Sequence, residues 1–304
     1  MDAARVAIVT GAARGIGYAI AQRLVADGCS VALVDHGVAI DGSAPDPGVV
    51  RDAAARLGPR ALPLALDIAQ PGAGADAVRA ALEAFGAVDV LVNNAAILRD
   101  AFIFKTQRAD WEAVLATNLG GAFELLSAAT PAMREAVKQG RTPGAIVNVV
   151  STAGIYGNFG QGAYAAAKAG LIGLTRAVAL DLARSGITCN AVAPFAATRV
   201  TESIRPANEA QQAYKARALK VPAERVADLV AFLASPAGAR ISGQLLGVRG
   251  REVFLFSQAR PVARFVAPAA FDAREFGELL SACFEPHFAA LTTDLEAFNT
   301  DPIP

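Results

Sequence analysis

Residues 6–17, VAIVTGAARGIG, decide the fold. The apolar run Val6–Val9 reads as a short buried strand. It runs through Thr10 into a turn carrying Gly11, Gly15 and Gly17, and then into an amphipathic helix from about Ile16 to Ala26, closed by Gly28. Glycines at such a turn allow a tight bend and a close backbone approach, while the helix N-terminus offers free N–H donors and the positive end of a dipole. A strand, a glycine-rich turn and a helix in that order form a cradle for a dinucleotide pyrophosphate.

Outward from this stretch, short apolar runs alternate with longer amphipathic ones, as in a parallel sheet with crossover helices. Strands are expected at Val31–Val34, Ala61–Leu66, Val88–Val92, Ala145–Val150, Thr188–Val192 and, last, Gln244–Val248. Helices are expected at Ala75–Phe85, Ala109–Glu135, Ala163–Ala183 and Ala223–Leu233. Asp41–Gly48, with two prolines and two glycines, reads as a surface loop, and Ala196–Lys220 as a flap with short helices. The expected architecture is α/β, a doubly wound parallel sheet with helices on both faces. Residues 1–250 form that domain, and 251–304 form a C-terminal extension packing on it or on a neighbouring subunit.

The second strand ends at Asp35, 18 residues beyond Gly17, where an acid meets adenosine ribose hydroxyls and repels a 2′-phosphate. NAD is therefore expected rather than NADP, with Arg14 arguing weakly the other way. Asp67, at the end of the third strand, is placed to accept from the adenine amino group. Small residues in Asn93-Asn94-Ala95-Ala96 let the chain pass close to the ligand at the carboxyl edge of the sheet. Tyr164 and Lys168 share one helix face, a turn apart. A free tyrosine titrates at about pH 10, and a nearby ammonium lowers it toward working pH, which makes Tyr164 a usable base. Ser151, ending the fifth strand, can hold the substrate oxygen beside the phenol, and Asn118 can anchor a water leading to Lys168.

The bulk numbers exclude several classes. Of 304 residues, 54% are hydrophobic, enough for a large core, and the net charge of zero gives no footprint for nucleic acid or an anionic membrane. Cys29, Cys189 and Cys283 lack metal-ligand spacing and read as reduced core thiols, and two histidines are too few for a histidine-rich metal site, so no metal is expected. The chain shows neither a secretory leader nor a run of the roughly 20 apolar residues that span a bilayer, and is expected in the cytoplasm.

TGAARGIG, NNAA, Asn118, Ser151 and Tyr164-x-x-x-Lys168 occur in the order found in the short-chain dehydrogenase/reductase family, which the chain resembles over about residues 3–250. The resemblance implies a Rossmann-type sheet and hydride exchange between a secondary alcohol and NAD. It also implies a homodimer or homotetramer. The catalytic set it implies is Asn118, Ser151, Tyr164 and Lys168. The cofactor set is Gly11, Arg14, Gly15, Ile16, Gly17, Asp35, Asp67, Ile68, Asn94, Ala95, Tyr164, Lys168, Pro194 and Thr198. Substrate contacts are expected from Ser151, Tyr156, Tyr164 and Phe195. NNAAILRD (Asn93–Asp100), GIYGNFGQGAY (Gly154–Tyr164) and CNAVAPFAATRVTESIRP (Cys189–Pro206) look like the dehydrogenase unit of the peroxisomal multifunctional enzyme and its bacterial single-domain relatives. That group oxidises (R)-3-hydroxyacyl-CoA thioesters with NAD. The chain departs from many family members in having Phe195 after Pro194, and Ala96 where a glycine is common.

The expected substrate is thus a 3-hydroxyacyl-CoA thioester or a branched or ring-bearing relative, with Arg99, Lys105, Arg199 and Arg205 as candidate cations for the CoA phosphates. The alternatives are a hydroxysteroid or aromatic-alcohol dehydrogenase, a ketoreductase for acyl-carrier-protein substrates, and a non-catalytic partner subunit. Between residues 271 and 298 the extension carries Phe271, Phe276, Leu279, Leu280, Phe284, Phe288, Leu291, Leu295 and Phe298. Their spacing suggests amphipathic helices broken near Pro286, with an apolar face that should pack on the domain, on a neighbour or over the substrate pocket.

Overall fold

The computed structural model describes residues 4–197, 201–202, 209–267, 269–270 and 272–303. Its centre is a sheet of eight strands: β1 (Val6–Thr10), β2 (Ser30–Val34), β3 (Ala61–Leu64), β4 (Val90–Asn93), β5 (Ala145–Val149), β6 (Thr188–Phe195), β7 (Leu245–Arg249) and β8 (Glu252–Phe256). Their spatial order is β3-β2-β1-β4-β5-β6-β7-β8. Every pairing from β3 to β7 is parallel, and β7–β8 is antiparallel. The expected fold class holds.

The all-apolar strands follow from being covered on both faces. On one face, Val9, Val31, Val92, Val147 and Val248 pack with Ile20 of α1 (Gly15–Ala26), Val50 and Ala53 of α2 (Pro47–Leu57) and Val226 and Val230 of a later helix, Glu224–Ala234. On the other, Ile8, Val34, Leu91 and Ile146 pack with Ala77 of α3 (Ala73–Phe85) and Leu125, Ala129 and Met133 of a helix at Gly121–Lys138. Chain order reverses between β1 and β4. Their carboxyl ends, Thr10 and Asn93, therefore open a crevice in which ligands of such sheets bind.

Several sequence expectations change. The loop at Asp41–Gly48 gives way at Pro47 to α2, unread in the sequence. Pro47 opens the helix and Asp46 caps it, accepting from the Gly48 N–H at 2.8 Å. The long helix expected over Ala109–Glu135 is two, α4 (Arg108–Leu115) and α5 (Gly121–Lys138), joined by a π-turn at Ala116–Gly120. Such wide turns recur at functional sites. Then come the short α6 (Ala153–Tyr156), α7 (Gly162–Leu182), α8 (Glu209–Ala218) in the expected flap, and α9 (Glu224–Ala234).

Gln244–Val248 is not the last strand, because the chain turns at Gly250 and returns as β8, which joins the sheet edge. The extension then forms α10 (Ala273–Phe284), a 3₁₀ turn at Glu285–His287, which places the break at Pro286, and α11 (Asp294–Ala297). Within the single chain, part of its apolar face is covered. Phe265 packs edge-on against Phe276, with centroids 5.7 Å apart, while Phe288 and Leu291 are exposed. Phe271 lies outside the described residues. Cys29 and Cys189 are buried free thiols, but Cys283 is only half-buried, on α10 rather than in the core. Burial pushes the Cys189 thiol up to about 12, so it stays protonated and inert.

Candidate active site

A cavity of about 480 Å³ lies at this crevice and falls within the range of small-molecule sites. The glycine turn builds one wall. Gly11 has φ +61°, and its N–H donates to the Val34 carbonyl at 2.8 Å. A Cβ on Gly17 would collide with the Gly11 carbonyl oxygen, so only glycine lets α1 start this close to β1. Asn94 ties β4 to the same turn. Its side-chain amide donates to the Thr10 and Gly11 carbonyls at 2.9 and 3.1 Å. The Asn94 and Ala95 N–H groups both donate to Thr10 Oγ1, at 2.9 and 3.0 Å.

Asp35 accepts from the Ala13 N–H through Oδ2 at 2.9 Å and from the Gly37 N–H through Oδ1 at 2.8 Å. One backbone amide on each oxygen fixes the carboxylate beside the turn and leaves lone pairs for a further donor. Arg14 donates to the Val38 carbonyl at 2.7 Å, while its buried Nε meets no acceptor among the described residues. Asp67 accepts from Ala69 N–H at 3.0 Å and Gln70 Nε2 at 3.1 Å, as a loop cap does, and still lines the cavity.

The opposite wall carries Tyr164 and Lys168. Lys168 is fully buried, and its ammonium donates to the Val149 carbonyl at 2.8 Å and lies 5.7 Å from the centre of the Tyr164 ring. Burial pulls its pKa down to about 8. Tyr164 packs against a cluster of Ile97 in the loop after β4, Val114 of α4 and Ala163 of its own helix. Ser151 Oγ accepts from the Ala153 N–H at 3.2 Å, capping the turn into α6.

Asn118 is buried within the π-turn. Its side chain accepts from the Ile97 N–H at 2.8 Å and donates to the Ile97 carbonyl at 2.9 Å. The amide thus locks the π-turn to the loop after β4.

Of the residues expected at the cofactor, Gly11, Arg14, Gly15, Ile16, Gly17, Asp35, Asp67, Ile68, Asn94, Ala95, Tyr164, Lys168 and Pro194 all line this cavity. Thr198 lies outside the described residues, as do Arg199 and Arg205. Tyr156 and Phe195 are not in its wall; both rings instead meet Phe298 of the extension, at centroid distances of 6.0 and 4.6 Å. Arg99 lines the cavity but is paired with Asp110 at 3.0 Å and bonded to the Asp41 carbonyl at 2.8 Å, so its charge is already answered. The sequence reading missed His36, Gln70 and Thr117 in the wall. His36 adjoins Asp35 and Gln70 follows Asp67 by three, so proximity to the chosen aspartates was the available signal. No helix among the described residues is long and apolar enough to cross a membrane.

Comparison with known proteins agrees with this geometry. The family profile described as short chain dehydrogenase matches residues 5–211. The hydroxyacyl-CoA dehydrogenase ChsB1 of Mycobacterium tuberculosis is 37% identical over 304 aligned residues, 98% of this chain and 92% of that protein. A 3-oxoacyl-[acyl-carrier-protein] reductase of Vibrio cholerae is 38% identical, over 81% of this chain and 96% of its own. The peroxisomal multifunctional enzyme type 2 of Drosophila melanogaster is 40% identical over 66% of this chain, which corresponds to 33% of that longer protein. Among solved structures, a 3-ketoacyl-(acyl-carrier-protein) reductase from Brucella melitensis complexed with NADH superposes with a TM-score of 0.73 and 27% identity, covering 82% of this chain and 98% of that one.

Proposed function

This chain belongs to the short-chain dehydrogenase family, an oxidoreductase family acting on hydroxyl and keto groups, and from that premise we propose that it oxidises the 3-hydroxyl of an acyl-CoA thioester, or of a branched or ring-bearing relative, with NAD. One observation carries the reading: the buried Lys168 ammonium lies beside the Tyr164 ring in the wall of the same cavity that the glycine turn and Asp35 border. A cavity with a helix N-terminus at one end and a lysine-backed phenol at the other suits a dinucleotide with its reactive ring by the tyrosine.

The fit to NAD rests on features of this chain. The Gly11–Gly17 cradle has room for backbone approach that any Cβ would fill, and Asp35 keeps free lone pairs for ribose hydroxyls. Bound NAD, held by this cradle and Asp35, would supply the acceptor for the hydride removed from the substrate carbon. Tyr164 takes the hydroxyl proton as the carbonyl forms. Lys168 gives one N–H donor to Val149, and its charge beside the Tyr164 ring favours the phenolate. Ser151 orients the substrate oxygen. Asn118 acts one step back, holding the π-turn that frames Tyr164.

Support for the thioester comes from the hydroxyacyl-CoA relative that aligns along nearly the whole chain. A second reading, reduction of an acyl-carrier-protein thioester, is favoured by the reductases that match over the sheet domain. Exposed Phe123 on α5 and Leu180 on α7 favour burial between copies, in a homodimer or homotetramer. The test follows reduction of NAD with 3-hydroxyacyl-CoA thioesters, the corresponding free alcohols and sterols, and the reverse reaction with an acyl-carrier-protein ketone. Turnover confined to free alcohols or sterols would sink the thioester reading. A preference for the carrier protein would install the second. No turnover of any alcohol or ketone would leave a non-catalytic subunit.

A further inference from the structure

The extension returns to the sheet at its last residues. Gly250 and Ile303 form a parallel bridge, with the Arg251 N–H donating to the Ile303 carbonyl at 2.8 Å. What holds this return is Arg249, the last residue of β7, which is only 6% exposed. Its guanidinium donates to the Phe298 carbonyl at 3.3 Å, the Thr300 carbonyl at 2.9 Å and Thr300 Oγ1 at 2.9 Å. Its remaining donors grip both carboxylate oxygens of Glu252, at 2.8 and 3.1 Å. A buried guanidinium is tolerable only when its donors are answered, and here the tail supplies three of the acceptors. Arg217 of α8 adds a bond to Asn299 Oδ1 at 3.0 Å, tying the flap helix to the same segment.

This clamp fixes the position of Phe298. Its ring sits among Tyr156, Phe195, Phe254 and Phe256 at centroid distances of 4.6 to 6.5 Å. Two of these partners place it relative to the chemistry. Tyr156 ends the short helix that starts two residues after Ser151. Phe195 continues the row Ala191–Ala193 on the sheet face that packs against Leu171 of α7, the helix carrying Tyr164 and Lys168. Phe298 thus stands behind Tyr156 and Phe195, outside the wall of the 480 Å³ cavity, and lines a smaller pocket with Phe195, Arg217 and Arg249.

We infer that Phe298 is a specificity-determining residue, the wall that sets how large a group the substrate may carry beyond its hydroxyl, and that Arg249 is the positioning residue that holds it there. The inference rests on the secondary-alcohol reading of the site, and it gives the extension a task beyond packing.

The experiment measures kcat/KM with NAD for the wild type, F298A and F298W over a graded series from short straight chains to ring-bearing groups. Each alcohol is offered free and as its 3-hydroxyacyl-CoA thioester. F298A should raise the ratio of bulky to short substrates about tenfold, the scale on which an apolar pocket discriminates size, and F298W should lower it, with KM for NAD unchanged in both. F298L takes the place of F298A should the alanine variant lose its far-ultraviolet dichroism. R249K should shift the ratio in the direction of F298A and add nothing when combined with it. A wild type that uses only the free alcohols would remove the thioester reading, while the ratio would still be read within the free series. Variants that scale every substrate by one common factor, or change none, would overturn the assignment of Phe298. An R249K shift that persists in the F298A background would overturn the role given to Arg249.

Discussion

The ammonium of Lys168 and the ring of Tyr164 lie 5.7 Å apart, one helical turn from each other on α7, with the ammonium pinned to the Val149 carbonyl at the end of β5. The lysine is thus part of the core and of the site at once. Burial that costs the charge free energy also delivers it undiluted to the phenol.

Tyr164→Phe keeps the ring against the cluster of Ile97, Val114 and Ala163 and removes the proton acceptor. General acid–base catalysis is worth about 10²–10⁴-fold, so kcat should fall by at least that factor while NAD affinity, read by fluorescence titration, stays near the wild-type value. Activity within a few-fold of wild type would overturn the role of Tyr164.

Lys168 also sets a pH dependence of stability. Its pKa is about 8 in the fold against 10.5 for an ordinary lysine. Between these values the unfolded chain holds the proton and the folded one does not, so stability rises with pH across that window. Below the window both states are protonated and the full burial cost is present. Thermal midpoints at fixed protein concentration should therefore climb from pH 8 to 10 relative to Lys168→Met, which lacks the titrating group. Parallel curves for the two proteins would contradict this.

Asp35 should exclude a 2′-phosphate, and kcat/KM should favour NAD over NADP. The loss of a carboxylate hydrogen bond costs about 1.5–3 kcal/mol, so Asp35→Ala should weaken NAD binding roughly tenfold or more. Because the same carboxylate also holds the Ala13 and Gly37 amides, the variant should melt lower as well. Equal use of both cofactors by the wild type would refute the assignment.

Thr10 Oγ1 accepts from two part-buried amides, of Asn94 and Ala95. Thr10→Val keeps the shape and leaves both N–H groups unanswered, at a cost of about 1–3 kcal/mol each. Urea midpoints should drop, and NAD KM should rise more than the alcohol KM. An unchanged midpoint would show that water replaces the hydroxyl.

Much of this was legible in the chain because it depends on local order. VAIVTGAARGIG reads as strand, turn and helix because burial on both faces demands an unbroken apolar run, and because only glycine allows the approach between Gly11 and Gly17. Tyr164 and Lys168 meet because an α-helix brings positions four apart onto one face. The ends of β1 and β4 meet because parallel strands need crossovers, and the crevice then forms where chain order reverses.

Other features had no local sign. That the Asn118 amide holds Ile97 follows from a π-turn that neither periodicity nor composition encodes. The helix at Pro47 was hidden by the turn-forming residues just before it. Arg249 and Phe298 are 49 residues apart, and their pairing needed β8 to fold back beside β7 and the extension to return to Gly250. The sequence alone determined the seven parallel strands, the glycine cradle and the Tyr164–Lys168 pair, since each follows from neighbours along the chain. Only the tertiary structure decided what Asn118 holds and what stands against Tyr156 and Phe195, because those contacts join distant segments whose meeting depends on the packing of the whole chain.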